Sequence, residues 1–447
     1  MKYFLLIFIS SIIFYSCEKE EENNQFPNPM PEKEYSIDNN GQIISTEFSY
    51  HDFNSAHDCM ECHQQHFDEW DKSMHAHALD DELFLSLLNR EVNKNGLIGQ
   101  NYCIQCHAQA AYLSDYDLSN INTLEDLNNL PASIKQGVTC TVCHTMTSPS
   151  SSVFTPDNAA ATIDDFHLNP GQNIFYGSIE NPESNSFHDS EFLPFYSQSE
   201  SCLPCHDQFI RGKDIEATFT EWQRVPGFSM SGAFPCQECH MPIKEDGHHD
   251  HTFSGIDINF ESPNDLENEN LNLLKTALSL DFNFESDSLK LDTLSIPIVV
   301  ESFTGHRFPS GTSFTREAWV EISVFNPEGI LLYQSGHIED SSVPLDLSDE
   351  DLLLFTTWLL DENNDTTFSA SDAYDFINNS LPALENCYHS YNLILDQSYS
   401  FLDIDLKMKF RALKPQIFDA TNSHLIGSVP VYEITSSSKR IFNLEEF

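Results

Sequence analysis

The stretch QGVTCTVCHTM (residues 136–146) carries the pattern that decides how this chain folds, because it spaces two cysteines and a histidine as Cys-x-x-Cys-His. This spacing is typical of covalent attachment of c-type haem, in which both sulfurs bond to the haem vinyl groups and the adjacent histidine binds the iron. The pattern occurs five times, as CMECH (59–63), CIQCH (103–107), CTVCH (140–144), CLPCH (202–206) and CQECH (236–240).

The five motifs predict five covalently bound haem c groups. Zinc ribbons also use paired Cys-x-x-Cys, but they do not need a histidine after every pair, and disulfide frameworks do not repeat this spacing. The predicted thioether cysteines are Cys59, Cys62, Cys103, Cys106, Cys140, Cys143, Cys202, Cys205, Cys236 and Cys239. The predicted proximal iron ligands are His63, His107, His144, His206 and His240.

The motif-bearing region, residues 46–260, is predicted to be a pentahaem domain that is mainly helical or irregular. Helical patches such as LDDELFLSLLNREV (79–92) alternate with long polar stretches, and hydrophobic periodicity is weak. Five haems within so short a region must lie close together. They would therefore supply much of the hydrophobic core and form a path for electrons.

Residues 270–447 have a different character and predict an all-β, sandwich-like domain. In LKMKFRAL (406–413) apolar Leu406, Met408 and Phe410 alternate with basic residues, as in a strand with one buried face. NPEG (326–329) predicts a hairpin turn, and residues 263–280 are ambiguous between helix and strand. The predicted fold class is α+β, with the helical part first.

The N-terminus predicts export. An apolar run after Lys2 has the length of a signal peptide, which we assign to residues 1–16, and Ser16-Cys17 resembles a lipoprotein cleavage box. Residues 17–45 then form a lipidated, disordered tether. We expect a periplasmic or cell-surface lipoprotein of a Gram-negative bacterium, held at the outer membrane.

The net charge of the chain limits the kinds of partner that we expect it to bind. The 447 residues include 21 Lys and Arg against 70 Asp and Glu, a formal net charge of -49. Such a surface repels nucleic acid and favours partners with basic patches. The expected partners are other cytochromes or a quinone-linked oxidoreductase.

Several segments resemble the cytochrome c-554-type multihaem proteins. The similarity runs from about residue 57 to residue 336, with its blocks in the expected order. The blocks include CHQQHFDEWDKSMHAHA (62–78), IFYGSIENPESNSFHDS (174–190), HTFSG (251–255) and GHRFPSGTSFTREAWVEISVFNPEG (305–329).

This resemblance implies the distal iron ligands. They are His75 (with His77 as its competitor), His188, His251 and His306. His248 and His249 beside His251 are an alternative weak metal site, and Arg307 is a candidate partner for a haem propionate. A fifth distal ligand stays open among His57, His66, His77 and His167.

Two functions compete. The first is electron transfer along closely packed, mostly bis-histidine haems between redox partners. The second is an oxidoreductase in which one open haem acts on nitrite, hydroxylamine or a tetrathionate-like substrate, because an iron without a sixth ligand can bind substrate. The sequence favours the electron-transfer protein and leaves enzyme activity uncertain.

Overall fold

The computed structural model describes residues 48–149, 163, 166–210, 213–228, 234–260, 267–284, 288–289, 293–419 and 422–443. The proposed signal peptide, the tether and Cys17 lie outside the described residues. From residue 48 onward, the described helices include none that is long and apolar enough to cross a membrane.

Short helices dominate the N-terminal half, and most Cys-x-x-Cys-His motifs lie on them. CTVCH and CQECH each form one complete short helix, and CIQCH ends a longer one. The helices are α1 (Ala56–Met60), α2 (Gln64–Trp70), α3 (Glu82–Asn95), α4 (Leu97–His107), α5 (Gln109–Leu113), α6 (Ala132–Lys135), α7 (Cys140–His144), α8 (Thr218–Arg224), α9 (Cys236–His240) and α10 (Glu267–Ala277).

The longest helix, α3, shows why the chain folds locally as it does. The Asp81 carboxylate accepts a hydrogen bond from the Phe84 amide at 2.6 Å and so caps its N-terminus. Gly96 ends α3 with a positive φ of 60° and lets α4 follow at once. Buried Leu88 of α3 and Ile104 of α4 then share one core cluster, which fixes α4 and therefore the CIQCH motif at its end.

Three small sheets connect the helices of the N-terminal half. Two are antiparallel pairs, β1 with β2 and β5 with β6, and β3 with β4 is a parallel pair. The strands are β1 (Met146–Pro149), β2 (Phe166–Leu168), β3 (Ile174–Gly177), β4 (Asp189–Phe192), β5 (Gln208–Ile210) and β6 (Lys213–Glu216).

The C-terminal half is built from sheets. Its strands are β7 (Leu278–Phe282), β8 (Ser288–Leu289), β9 (Thr293–Ser302), β10 (Glu317–Phe325), β11 (Leu331–Ser335), β12 (Leu354–Phe355), β13 (Thr357–Leu360), β14 (Thr366–Thr367), β15 (Asp375–Asn378), β16 (Asn386–Ile394), β17 (Phe401–Arg411) and β18 (Tyr432–Asn443). One sheet has the order β11-β10-β17-β18-β8 with β12 beside β10, a second has β16-β9-β7, and a third has β14-β13-β15.

The first two of these sheets enclose a single hydrophobic core, so this part is a two-sheet sandwich. Leu406, Met408 and Phe410 of β17 are fully buried, as is Ile298 of β9 in the other sheet. The expected alternation is therefore confirmed as far as Phe410, but Arg411 is fully buried as well, where it pairs with Glu317. The mixed α+β fold is confirmed.

The structure tests two local predictions, the NPEG turn and the ambiguous segment 263–280. The NPEG turn joins β10 to β11, and the Gly329 amide donates to the Asn326 carbonyl at 2.9 Å. The ambiguous segment 263–280 contains both structures, since α10 passes at residue 278 into β7 without a linker.

Candidate haem-binding sites

The ten motif cysteines are free thiols, and the fold brings cysteines of different motifs together. Three pairs are in hydrogen-bonding contact, namely Cys59 with Cys140, Cys106 with Cys205 and Cys202 with Cys236. The first motif thus adjoins the third, the second adjoins the fourth, and the fourth adjoins the fifth.

The thiols of the central motifs lie in an apolar environment. Burial raises the pKa of Cys103 and of Cys143 to about 12, so both stay protonated at neutral pH. At the edge of the array Cys62 and Cys239 are exposed. The first and fifth motifs therefore lie nearest to solvent.

Three of the motif histidines are oriented by the backbone through Nδ1. The Nδ1 atom of His107 lies 2.7 Å from the Ala78 carbonyl oxygen, and that of His144 lies 2.7 Å from the carbonyl of Tyr176. His240 makes the same contact with Ser254, also at 2.7 Å. A histidine that donates from Nδ1 has Nε2 free as a lone-pair donor, as a metal ligand requires.

Four of the five motif histidines face a second imidazole. Imidazole nitrogens bind first-row metals at about 2 Å, so two rings on opposite sides of one metal have centroids about 6 Å apart. The observed pairs are His63 with His188 at 6.2 Å, His75 with His206 at 6.3 Å, His144 with His251 at 6.4 Å and His240 with His306 at 6.3 Å. These spacings fit an iron held between two imidazoles.

Three of the four facing histidines are also oriented through Nδ1, whereas the buried Nδ1 of the fourth, His75, has no hydrogen-bond partner. His251 Nδ1 lies 2.7 Å from the His249 carbonyl oxygen, and His306 Nδ1 lies 2.8 Å from that of Arg307. His188 Nδ1 lies 3.1 Å from the Asp189 carbonyl. Each ring therefore presents Nε2 as the available ligand atom.

Burial keeps several of these rings neutral. It lowers the pKa of His75 and of His251 to about 3, with further lowering by the facing rings of His206 and His144. Burial likewise lowers the pKa of His206 to about 4. Neutral imidazole is the form that binds a metal, so these sites are suited to ligation at any physiological pH.

His306 is presented by a loop of the C-terminal half that packs on helix α8. The Arg307 amide donates to the Glu221 carboxylate at 3.1 Å, and the Gly311 amide donates to Thr218 Oγ1 at 2.9 Å. A Cβ atom at Gly305 would lie 3.0 Å from the Phe228 ring, which explains the glycine. The GHRFPSG loop thus joins the sandwich to the motif-bearing half.

His107 differs from the other motif histidines. All 19 histidines of the chain lie in described residues, yet none makes a ring contact with His107. Its ring instead stacks on Phe84, with centroids 3.9 Å apart and planes 9° from parallel. The second motif therefore has no facing imidazole.

None of the four candidates for a fifth distal ligand faces the ring of His107. His77 contacts Asp80 at 2.9 Å and the Asp71 carbonyl at 3.0 Å, which occupies both of its nitrogens. His57 lies against Phe67 and Gln136, and His167 is exposed on β2. His66 lies edge-on to His63, at 5.9 Å and 82°.

Two further predictions from the sequence concern the GHHDH segment, as a weak metal site, and Arg307, as the partner of a haem propionate. Within the described ranges, no group of three or more His, Cys, Asp and Glu residues has the arrangement of a metal site, so the GHHDH segment with His248 and His249 does not form one. Arg307 Nη1 donates to the Ser380 carbonyl at 3.1 Å. Sequence reasoning missed several buried cations, among them Arg316, which pairs with Asp257, and Arg411, which pairs with Glu317.

A cavity of about 480 Å³ adjoins the fifth motif, with Trp222, Ser199 and Pro235 in its lining. Its walls are mixed, with the aromatic rings of Phe192 and Trp222 beside the polar side chains of Gln198 and Glu200. Repeated Cys-x-x-Cys-His motifs, facing imidazoles and an apolar environment together define the class of multihaem c-type cytochromes.

Comparison with known proteins supports this class. Residues 58–145 match the family described as Cytochrome c554 and c-prime, which confirms the resemblance over this part of the chain and supports covalently bound haem c. The crystal structure of a penta-heme cytochrome c552 from Thermochromatium tepidum is 19% identical, with a TM-score of 0.64, and the match covers 87% of this chain and 99% of that one. No curated protein matches the sequence.

Proposed function

We propose that this protein is an exported c-type cytochrome that carries five haem c groups and transfers electrons between redox partner proteins. The observation that carries the proposal is the set of four imidazole pairs with centroids 6.2–6.4 Å apart. The motif cysteines would hold each haem covalently, and the paired histidines would bind its iron from both sides. Iron with two histidine ligands is closed to substrate and suited to electron transfer.

The thiol contacts support a connected array. Because the first motif adjoins the third, and the second and fifth both adjoin the fourth, haems attached there would be neighbours. The thiols of Cys143 and Cys202 also interact electrostatically, which links the third motif to the fourth. Close neighbours allow electrons to pass without a mobile carrier.

The organisation of the chain is part of the same proposal. It comprises a signal peptide (1–16), a lipidated tether from Cys17 to residue 45, a pentahaem domain (46–260) and a sandwich domain (270–447). Exposed Cys62 and Cys239 support electron exchange at the first and fifth haems, with partners that carry basic docking patches. Replacement of Cys17 by Ser should release the protein from the membrane fraction, and continued membrane association would contradict the lipid anchor.

The test of the electron-transfer proposal is a haem count with a spin-state survey. Mass measurement of the denatured protein should show five covalently attached haems, and the ferric protein should show four low-spin haems with two histidine ligands. Fewer than four such haems would contradict the ligand pairs.

A second function is supported by His107. Since no imidazole faces this ring, a haem held by Cys103, Cys106 and His107 would have a position available for an exogenous ligand. Such a site is compatible with an oxidoreductase acting on nitrite, hydroxylamine or a tetrathionate-like substrate. Binding of carbon monoxide by one haem, followed by turnover assays with each substrate, tests this function, and a reduced protein that binds no carbon monoxide would contradict it.

A further inference from the structure

Two carboxyl groups are joined through two hydroxyl groups where the GHRFPSG loop packs on helix α8. Thr218 Oγ1 lies 2.6 Å from Glu216 Oε1, and Ser310 Oγ lies 2.5 Å from Glu221 Oε2. The two hydroxyl oxygens lie 2.8 Å apart, and either of them can be the donor. These four side chains therefore form an unbroken series of three short contacts, which we call the carboxyl relay.

The carboxyl relay needs one proton more than its hydroxyl groups supply. Oxygen atoms at these distances share a hydrogen in each contact, but Thr218 and Ser310 contribute only one hydrogen each. With both carboxylates ionised, each hydroxyl would donate to its own carboxylate, and lone pairs would face each other across the 2.8 Å contact. A third proton, carried by Glu216 or Glu221, removes this conflict.

The third proton can lie at either end of the relay. With Glu221 protonated, its carboxyl donates to Ser310 and Ser310 donates to Thr218, which then donates to the Glu216 carboxylate. With Glu216 protonated, every donor and acceptor is reversed. In both cases Thr218 Oγ1 still accepts from the Gly311 amide at 2.9 Å, since a hydroxyl oxygen has two lone pairs. The proton can thus pass between the carboxyl groups by reversal of three hydrogen bonds.

Burial allows a proton to stay on the relay at neutral pH. Glu216 is 8% exposed and Ser310 is 6% exposed. Burial raises the pKa of Glu216 to about 7 and also raises the pKa of Glu221. Glu221 is partly exposed, so it forms the end of the relay at which a proton exchanges with water.

Other charged and titratable groups surround the relay. They are Arg316, Asp257, Arg307 and Arg224, with Tyr102 and Cys106 beside Glu216. Arg316 and Asp257 are paired with each other at 3.0 Å. Burial raises the pKa of Tyr102 well above its usual range, and Cys106 would be a thioether in the loaded protein. Within this set, Glu216 and Glu221 are therefore the groups that exchange a proton near neutral pH.

The relay ends beside the loop residue that orients His306. Glu221 Oε2 accepts a hydrogen bond from the Arg307 amide at 3.1 Å, and the Arg307 carbonyl oxygen lies 2.8 Å from His306 Nδ1. His306 in turn faces His240, with ring centroids 6.3 Å apart. The carboxyl of Glu221 and the ring of His306 thus bond to one residue in a partly buried site, where charges interact more strongly than in water.

We propose that the carboxyl relay binds a proton when the haem held between His240 and His306 is reduced, and releases it when that haem is oxidised. This inference rests on the proposed function. The coupled step is Fe(III) + e⁻ + RCOO⁻ + H⁺ → Fe(II) + RCOOH, with the electron from the redox partner and the proton from water at Glu221. The added electron and the added proton leave the net charge of the site unchanged, so each stabilises the other.

The test is a spectroelectrochemical titration of the intact, haem-loaded protein at several pH values, with the protons taken up on full reduction counted by an indicator dye. In the wild type, the midpoint potential of one low-spin haem should fall as the pH rises through neutrality. The reduced-minus-oxidised infrared spectrum should show a new carboxylic acid band. Both signals should be lost when Glu216→Gln and Glu221→Gln are combined, because the two amides keep the side-chain shape but cannot take up this proton.

A second variant tests the relay and not only its carboxyl groups. Ser310→Ala retains Glu216 and Glu221 but removes the conflict between lone pairs that the third proton relieves. The pH dependence of the midpoint should therefore shift to lower pH. A pH dependence in Ser310→Ala that coincides with that of the wild type would contradict proton sharing through the hydroxyl groups.

Glu91→Gln is the matched control. Glu91 is 5% exposed and accepts a hydrogen bond from Ser369 Oγ at 2.8 Å between the same two halves of the chain, but it lies outside the carboxyl relay. This variant should titrate like the wild type. A wild-type midpoint that does not depend on pH, or a dependence that persists in the combined variant, would overturn the inference. Fewer than four low-spin haems in the loaded wild type would instead contradict the proposed function, so the two failures are distinguishable.

Discussion

At the scale of single residues, the histidines determine how each haem iron would be ligated in the proposed function. Each Cys-x-x-Cys-His motif could be identified from the sequence, because its chemistry depends on neighbouring positions. The facing histidines could not be derived in this way, since His188 approaches His63 only when β3, β4 and the loop between them are folded. The resemblance to a known family suggested the four partners, and the structure brings each of them to a motif histidine.

We expect His306→Ala to convert one low-spin haem into a high-spin haem, because the replacement removes the imidazole that faces His240 at 6.3 Å. Absorption and magnetic resonance spectra of the ferric protein measure this change. His337→Ala is the matched control, since His337 belongs to the same half of the chain and its side chain is 47% exposed. An unchanged low-spin spectrum in His306→Ala would show that the GHRFPSG loop only connects strands.

We expect stability to decrease on acidification through the buried histidines. Burial lowers the folded-state pKa of His251 to about 3 from its ordinary value of 6.5, so the folded state favours the neutral ring. Its contribution is complete above about pH 6.5 and is lost as the pH falls toward about 3. Denaturant unfolding of the haem-free protein at several pH values should show a steeper loss in the wild type than in His251→Ala, and identical slopes would exclude this contribution.

At the scale of helices and strands, the sequence pattern predicts which segments form strands, but it does not predict how these elements pack on one another. The strands β9, β10 and β17 agree with the alternating or continuous apolar runs, because a strand that covers a core buries every second residue. Segment 263–280 was ambiguous because it changes from helix to strand in the middle. No local signal shows that the loop between β9 and β10 packs on α8, since those contacts join residues such as Gly311 and Thr218 that are far apart in sequence.

We expect the core of the sandwich to support the His306 loop. Phe410 is fully buried in β17, and its ring lies 5.7 Å from that of Phe308, two residues after His306. Phe410→Ala should lower the free energy of unfolding by about 3–5 kcal/mol through the cavity it leaves, and should weaken ligation at the fifth motif. Phe442→Ala, at a side chain that is 47% exposed, is the control and should change little. A destabilised protein with an unchanged fifth haem would show that the contacts with α8 hold the loop unaided.

At the scale of the whole molecule, the two halves form one redox unit in the proposed function. The sandwich supplies both His306 and Arg316, while the motif-bearing half supplies Glu221 and Asp257. The α+β fold class could be predicted because each half has its own pattern. Their mutual arrangement could not, because it depends on side chains that meet only in the folded chain.

The formal charge of -49 should govern association with partners. With a small cationic cytochrome as the partner, we expect the association rate constant to fall steeply with ionic strength, because screening removes the long-range attraction. Stopped-flow reduction kinetics at several salt concentrations measure this dependence, with an anionic redox protein as the control. A rate constant that does not respond to salt would exclude electrostatic steering.

The most direct test of the central claim is quantitative electron paramagnetic resonance of the ferric, fully loaded protein. The four facing histidine pairs and the unpaired His107 lead us to expect four low-spin haems and one high-spin haem in each molecule. Two or more high-spin haems in the native protein, or five low-spin haems, would contradict this assignment of ligands.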